Sequence, residues 1–304
     1  MRVVSLLPSA TEIVYLLGLG DQLTGVSHEC DYPSAALGKR KIIRPAFESP
    51  TLSSQEIDAR VRAAFARGEG VYHIDLEALK SADPDLILTQ ELCDVCAAPY
   101  AHVLEVVTKL PRKPEVLSLD PQGLGDVLRD VERVGEATGR LREAEDAVAS
   151  LKGRVALVAQ QAAKTTTRPT VVCLEWLDPL MASGHWIPEM VAMAGGREPV
   201  GKPGIPSRSV EWEEVRSSAP EILVLMPCGF AVERVLKETH LVTGLPGWND
   251  LPAVQAGKVF AVNGHAYYSR PGPRLVDGLE ILAHIIHPEA FPEPFPEDIV
   301  KRVD

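Results

Sequence analysis

The sequence predicts an α/β protein of two mainly parallel-sheet lobes, joined by one long backbone helix, with a ligand cleft between the lobes. Short apolar runs alternate with amphipathic segments on both sides of residues 139–164, a pattern typical of parallel sheets covered by helices. Within that segment, apolar residues from Leu141 to Val158 recur at steps of three and four, the period of one helix face. The length of 304 residues suits two domains. We therefore expect a lobe at 1–138, a connecting helix at 139–164, a lobe at 165–288 and a proline-rich tail at 289–304. The alternative is an ordinary long helix within a single domain.

The first lobe is predicted to open with a strand at Arg2–Leu7 and a helix from Pro8 to Gly18, capped by Ser9 or Thr11. Residues 51–67 form an amphipathic helix that a capping box of Ser53 and Glu56 would start. The other predicted strands of this lobe are Leu23–Ser27, Asp85–Thr89 and Glu115–Leu119, and Val71–Ile74 is predicted to be a short extended piece. The other predicted helices are Leu76–Ser81, Tyr100–Lys109 and Gly123–Ala137.

The second lobe repeats the alternation of strands and helices. Its predicted strands are Thr170–Glu175, Ile222–Met226 and Lys258–Val262, and its predicted helices are Pro188–Ala194, Glu211–Ser217, Phe230–Thr239 and Pro273–Ile286.

Composition excludes several classes of partner. The net charge of −11 argues against binding to nucleic acid or an anionic membrane, since both reward positive surface. No apolar run approaches the ~20 residues of a membrane helix, so we expect no membrane insertion. The N-terminus has a proline and no small-residue cleavage site, which predicts a cytoplasmic protein unless a leader was removed. Five cysteines, an odd number, favour reduced thiols over a disulfide framework.

Chemically versatile side chains follow the predicted strands, at the sheet edge where α/β proteins bind ligands. They are His28, Cys30, Cys93, Cys96, Glu175, Trp176, Cys228, His265, Tyr267 and Tyr268. His185 and Trp186 follow a glycine turn nearby. Cys93 and Cys96 form a single CxxC, which fits a metal pair, a redox pair or two packed cysteines.

An ordered series of segments resembles the vitamin B12 periplasmic binding proteins. Its start is Ser5–Gly18, followed by Gly25–Ser27 and Asp31–Pro33. The series continues through Asp75–Glu77, Pro84–Leu88, Ala182–Gly184, Gly195–Gly196, Val210–Ser217, Pro220–Ile222, and Arg270 with Pro273–Arg274. The resemblance covers most of the chain. It implies two α/β lobes joined by a long helix, and a non-enzymatic solute-binding protein of an ABC importer for cobalamin, with siderophore- and haem-binding relatives.

The resemblance and the strand-end positions together predict the residues that contact a corrinoid. These are His28, Glu29, Tyr32, Gln90, Trp176, Met181, Trp186, Ser207, His265, Tyr267, Tyr268 and Arg270. The family places one surface glutamate on each lobe to dock onto arginines of the permease, and Glu77 and Glu213 match those positions. The chain departs from the family at Glu29, Gln90 and Ser207, where aromatic residues are usual.

Three hypotheses follow for the function. The first is a corrinoid-binding protein in which His265 or His28 takes the axial position on cobalt, since imidazole suits such metals. The second is a metal- or thiol-dependent protein that uses Cys30, Cys93, Cys96 and Cys228, with a metal ion held by Cys93, Cys96 and His265. The third is a haem or ferric-chelate binder on the same fold.

Overall fold

Two six-stranded sheets, one in each half of the chain, form the framework of the computed structural model. The structure describes residues 1–47, 51–91 and 98–303. The chain divides into two units. Unit 1 consists of Met1–Leu52, Ala59–Pro121 and Gly125–Ser150, and unit 2 consists of Ser53–Asp58, Gln122–Leu124 and Leu151–Asp304. The lobe limits expected from the sequence stay predictions.

The first sheet is parallel except at one edge. Its strands are β1 (Val3–Ser5), β2 (Leu23–Ser27), β3 (Lys41–Pro45), β4 (Tyr72–Ile74), β5 (Leu86–Thr89) and β6 (Glu115–Ser118). They are ordered β4-β3-β2-β1-β5-β6, and only β3 and β4 pair antiparallel. The helices in this part of the chain are α1 (Pro8–Leu16), α2 (Ser54–Ala66), α3 (Leu76–Ala82), α4 (Tyr100–Thr108) and α5 (Leu124–Ala137). The sequence did not predict β3, because its lysine, arginine and proline interrupt the apolar run.

Two predicted helix starts had different outcomes. The capping box of α2 is confirmed, since Ser53 N donates to Glu56 Oε2 at 2.8 Å and Glu56 N donates to Ser53 Oγ at 3.2 Å. The predicted cap of α1 is wrong. Leu7 holds the cap position without a side-chain bond, and Pro8 begins the helix with no amide to satisfy. Ser9 and Thr11 are buried inside the helix instead.

The second sheet has a parallel centre and antiparallel edges. Its strands are β7 (Val171–Leu177), β8 (Leu180–Ala182), β9 (Arg208–Ser209), β10 (Ile222–Leu225), β11 (Val259–Val262) and β12 (Val300–Arg302), ordered β12-β11-β10-β7-β8-β9. β10 is parallel to β7 and β11, whereas β8, β9 and β12 pair antiparallel. The sequence predicted none of β8, β9 and β12, and β12 lies in the segment expected to be a tail. Strands of two or three residues leave little apolar pattern.

The remaining helices include the long one that the sequence predicted. They are α6 (Leu141–Ala162), α7 (Ile187–Met193), α8 (Trp212–Ser217), α9 (Val232–Glu238), α10 (His240–Thr243), α11 (Pro252–Gln255), α12 (Gly264–Tyr267) and α13 (Leu275–Ile286). α6 has 22 residues, and the division between the units falls inside it, after Ser150. Val148, Leu151 and Val158 are buried as the apolar period predicts, but Leu141 is 47% exposed.

Candidate functional site

A hairpin at the edge of the unit 2 sheet presents aromatic and apolar side chains. Trp176 pairs with Met181 across β7 and β8, so it lies inside the strand that was predicted to end before it. Its ring centroid lies 5.2 Å from that of Phe230, and its Nε1 donates to Asp178 O at 3.0 Å. Trp176 and Met181 are both half-buried. The hairpin therefore holds a fixed, partly exposed aromatic surface beside the carboxyl end of β7.

Glu175 ties this strand to two loops. Gly184 N donates to Glu175 Oε1 at 3.2 Å, and Ser207 Oγ donates to Glu175 Oε2. A Cβ at Gly184 would overlap the backbone at Ser207 N and Ile205 O, so only glycine permits this approach of the loops. The sequence places Glu175 at a strand end but gives no sign of this role, because both partners are distant in the chain.

The loop that follows Gly184 carries a strained histidine. His185 has a φ of 48°, its N donates to Ile205 O at 2.6 Å, and its carbonyl accepts from Gly204 N at 2.9 Å. Its ring stacks on Trp186, with centroids 5.3 Å apart and planes at 24°. Burial lowers the pKa of His185 below its usual value, which favours the neutral ring at pH 7.

The segment from His265 to Arg270 closes the same edge of the sheet. Arg270 is buried, and its guanidinium donates to His265 Nε2 at 2.5 Å. Trp186 Nε1 donates to Tyr268 O at 2.8 Å, and Tyr268 OH donates to Gly278 O at 3.0 Å. The side chains of Trp186 and Tyr268 are buried, so they fix the backbone of the loops.

Two further contacts complete the unit 2 edge. Tyr267 is half-buried beneath the guanidinium of Arg274, 5.7 Å from its ring centroid. His265 N donates to Phe230 O at 3.1 Å, which joins this segment to the aromatic pair of the hairpin. We call the surface formed by Glu175, Trp176, Met181, His185, Ser207, Phe230 and His265 the unit 2 face.

The residues predicted in unit 1 are also found at strand ends. His28 follows β2, contacts Glu29 Oε1 through Nε2 at 3.1 Å, and lies 5.7 Å from the ring of Tyr72. Gln90 follows β5 and is buried, whereas Tyr32 is 49% exposed. Whether these side chains contact a ligand stays a prediction.

The cysteines of the described residues do not form a metal centre. Cys30 is buried and accepts a hydrogen bond from Thr11 Oγ1 at 3.0 Å, Cys173 is buried in β7, and Cys228 is exposed. No three His, Cys, Asp or Glu side chains are grouped as metal ligands within residues 1–47, 51–91 and 98–303. Cys93 and Cys96 lie outside the described residues. The metal site predicted from them and His265 therefore stays a prediction.

The chain matches the family model of periplasmic binding proteins over residues 3–265. The chain belongs to the periplasmic binding protein family. It is 26% identical over 299 residues to the uncharacterized ABC transporter substrate-binding lipoprotein YvrC of Bacillus subtilis, covering 96% of this chain and 82% of that protein. It is 26% identical over 283 residues to the vitamin B12-binding protein of Photorhabdus laumondii, covering 93% of this chain and 86% of that protein. Among solved structures, the apo form of the periplasmic heme-binding protein RhuT from Roseiflexus sp. RS-1 has a TM-score of 0.71 at 20% identity, covering 95% of this chain and 98% of that one.

These matches confirm the resemblance, the fold class and the expectation of a binding protein instead of an enzyme. The chain has a solute-binding role. The expectation of a cytoplasmic protein has no support, since the names of the relatives describe periplasmic proteins and a lipoprotein. Across the described part of the chain, no helix is both long enough and apolar enough to span a bilayer.

Proposed function

We propose that this protein binds a corrinoid, with cobalamin as the first candidate, outside the cytoplasmic membrane and delivers it to an ABC permease. The observation that carries the proposal is the unit 2 face, where Trp176, Phe230 and Met181 lie beside the polar groups of Glu175 and Ser207. Similarity to a vitamin B12-binding protein over 93% of the chain supports the choice of ligand.

The chemistry of a corrinoid suits this face. The macrocycle is broad, flat and largely apolar, and it carries amide side chains around its rim. Small-molecule sites combine apolar and aromatic walls with a few fixed polar groups. In this protein the indole of Trp176 would cover the ring, and the hydroxyl of Ser207, oriented by Glu175, would meet an amide.

A titration of the purified protein with cyanocobalamin, followed by calorimetry, tests the proposal. We expect one-to-one binding, and we expect Trp176→Ala to weaken the affinity by about tenfold or more, as loss of a buried aromatic anchor does. Trp212→Ala is the matched control. Its indole is also half-buried, stacks on an aromatic ring (Trp248, 6.1 Å) and donates to a backbone carbonyl, but it lies on α8.

Equal losses in the two variants would mean that the tryptophans act through stability alone. Binding of hemin but not of cyanocobalamin would replace the corrinoid by haem as the ligand. Failure of both probes to bind would refute the proposal.

We also propose that Glu77 and Glu213 dock onto the permease. Each is the second residue of its helix, and their side chains are 81% and 65% exposed. The charge reversals Glu77→Lys and Glu213→Lys together should abolish stimulation of the permease ATPase and leave ligand affinity unchanged. A loss of ligand affinity in this double variant would contradict a docking role.

A further inference from the structure

His185 differs from the other strained residues of the described structure. Besides glycines, Asp83 and Ala219 are the other described residues with positive φ. Asp83 directly follows α3 and Ala219 comes two residues after the end of α8, where a left-handed residue commonly ends the last turn. His185 instead precedes a helix, and two backbone hydrogen bonds to residues 204 and 205 hold it in place. A residue other than glycine in the left-handed region is strained, and such strain tends to persist at functional sites.

The imidazole of His185 is also left without a polar partner. Its Nδ1 is buried, and the ring makes no hydrogen bond within residues 1–47, 51–91 and 98–303. A buried polar atom without a partner destabilises the folded protein. His185 is only partly buried, and Nδ1 but not Nε2 is among the buried atoms without a partner, so Nε2 is the nitrogen that a ligand can reach.

The two histidines that the sequence favoured as axial ligands are engaged differently. His28 Nε2 contacts the carboxylate of Glu29 at 3.1 Å, and His265 Nε2 accepts a hydrogen bond from Arg270. Either nitrogen would have to give up its partner before it could bind a metal. His185 would not, because its Nε2 has no such partner among the described residues.

The support beneath His185 is rigid. Its ring stacks on Trp186, whose indole is 5% exposed and is anchored to Tyr268 O. Gly184, directly before it, is packed against residues 205–207 and tied to Glu175. A ligating side chain needs this kind of fixed orientation from its surroundings.

We propose that His185 coordinates, through Nε2, the central metal of the bound tetrapyrrole. This inference rests on the proposed function and names the residue that recognises the metal. The ligand class is a planar metal macrocycle with an exchangeable axial position, either a corrinoid without its lower base or a haem. In the step, the Nε2 lone pair forms a bond to the metal, a bound water leaves, the proton stays on Nδ1, and the metal keeps its oxidation state.

The test uses diaquocobinamide and hemin as probes, with the visible spectrum as the readout. Binding to the native protein should shift the spectrum of at least one probe from the aquo form to the imidazole-bound form. His185→Gly should remove that shift and weaken binding by about tenfold or more. Glycine accepts the left-handed backbone, so this variant preserves the loop. Free imidazole added to His185→Gly should restore the shifted spectrum, which a purely structural role would not allow.

His28→Ala and His265→Ala test the two competing histidines. His240→Ala, an exposed histidine on α10 outside the unit 2 face, is the control and should keep the imidazole-bound spectrum. A shift that survives in His185→Gly without added imidazole, or that disappears in His265→Ala, would overturn the inference and leave the proposed function intact. Binding of both probes without any shift of their spectra would also overturn the inference and leave the proposed function intact. Failure of the native protein to bind cyanocobalamin, diaquocobinamide or hemin would refute the proposed function itself. The probe whose spectrum shifts shows whether the ligand of the protein is a corrinoid or a haem.

Discussion

At the scale of single residues, Asp130 on α5 is a buried carboxylate that is only half paired. Its Oδ1 accepts from Arg133 NH1 at 2.7 Å, whereas its buried Oδ2 has no hydrogen-bond partner among the described residues. Burial raises the pKa of Asp130. The hydrogen bond from Arg133 opposes the rise, and the charge of Asp120 adds to it.

We predict that Asp130→Asn is neutral or stabilising by about 1 kcal/mol at pH 7 to 8, because it removes an incompletely paired buried charge and keeps the acceptor for Arg133. The sign follows from the raised pKa. The stability that the wild-type carboxyl contributes is present below its unfolded value of 3.8 and is lost as pH rises through the folded-state pKa. Urea unfolding between pH 4 and 8 should therefore show the advantage of the variant growing with pH. The exposed Glu136→Gln on the same helix is the control, and a clear loss of stability in Asp130→Asn at pH 8 would contradict the prediction.

Some features of the site residues could be predicted from the sequence and others could not. The positions of His28 after β2 and of His265 after β11 could be predicted, since the period and turn signals locate strand ends, whereas Trp176 lies inside β7. The roles of Glu175 and His185 could not, because they depend on hydrogen bonds to residues 204–207 and on a left-handed φ. Neither leaves a mark in an apolar pattern.

At the scale of elements, a charged cluster joins the second half of α6 to α13. Arg154 donates through Nε to Glu280 Oε1 at 2.9 Å and through NH2 to Asp277 Oδ1 at 2.5 Å. The three side chains are about one third exposed, and these hydrogen bonds raise the pKa of Arg154, so the guanidinium stays charged.

We predict that Arg154→Met, which keeps the aliphatic stem, destabilises the protein by about 1 kcal/mol, at the upper end for a partly exposed ion pair. Arg216→Met is the control in the same unit. This variant breaks an exposed ion pair with Glu213, whose side chain is 65% exposed. It should lower the free energy of unfolding much less than Arg154→Met. Chemical unfolding at low and high salt measures both variants, and the Arg154 effect should shrink in high salt. An equal effect of the two variants would show that the cluster adds nothing.

Elements with a long apolar period were the most predictable part of the fold. α6 begins and ends two residues inside its predicted limits, and β2 matches the prediction at both ends. The missed strands β8, β9 and β12 have two or three residues each, and they form because a neighbouring edge offers unpaired backbone groups. Pairing of this kind is a tertiary effect that local sequence does not encode.

At the scale of the whole molecule, the four tryptophans all belong to unit 2. Tryptophan fluorescence during heating therefore reports the unfolding of unit 2 alone, and circular dichroism reports both units. Comparing the two signals without ligand assigns each calorimetric transition to a unit.

The assignment allows a prediction about where the ligand binds. A ligand that binds only the folded state adds about 2.7 kcal/mol of stability at a free concentration of 100 Kd. For units of this size that corresponds to an increase in Tm of several degrees. We predict that cyanocobalamin at this concentration raises the transition assigned to unit 2, measured by scanning calorimetry, and that Trp176→Ala at the same concentration shows a smaller rise. The sequence prediction that His28, Tyr32 and Gln90 contact the ligand requires the unit 1 transition to rise as well. A rise confined to unit 2 would remove those residues from the site, and a rise confined to unit 1 would contradict the role that we propose for the unit 2 face.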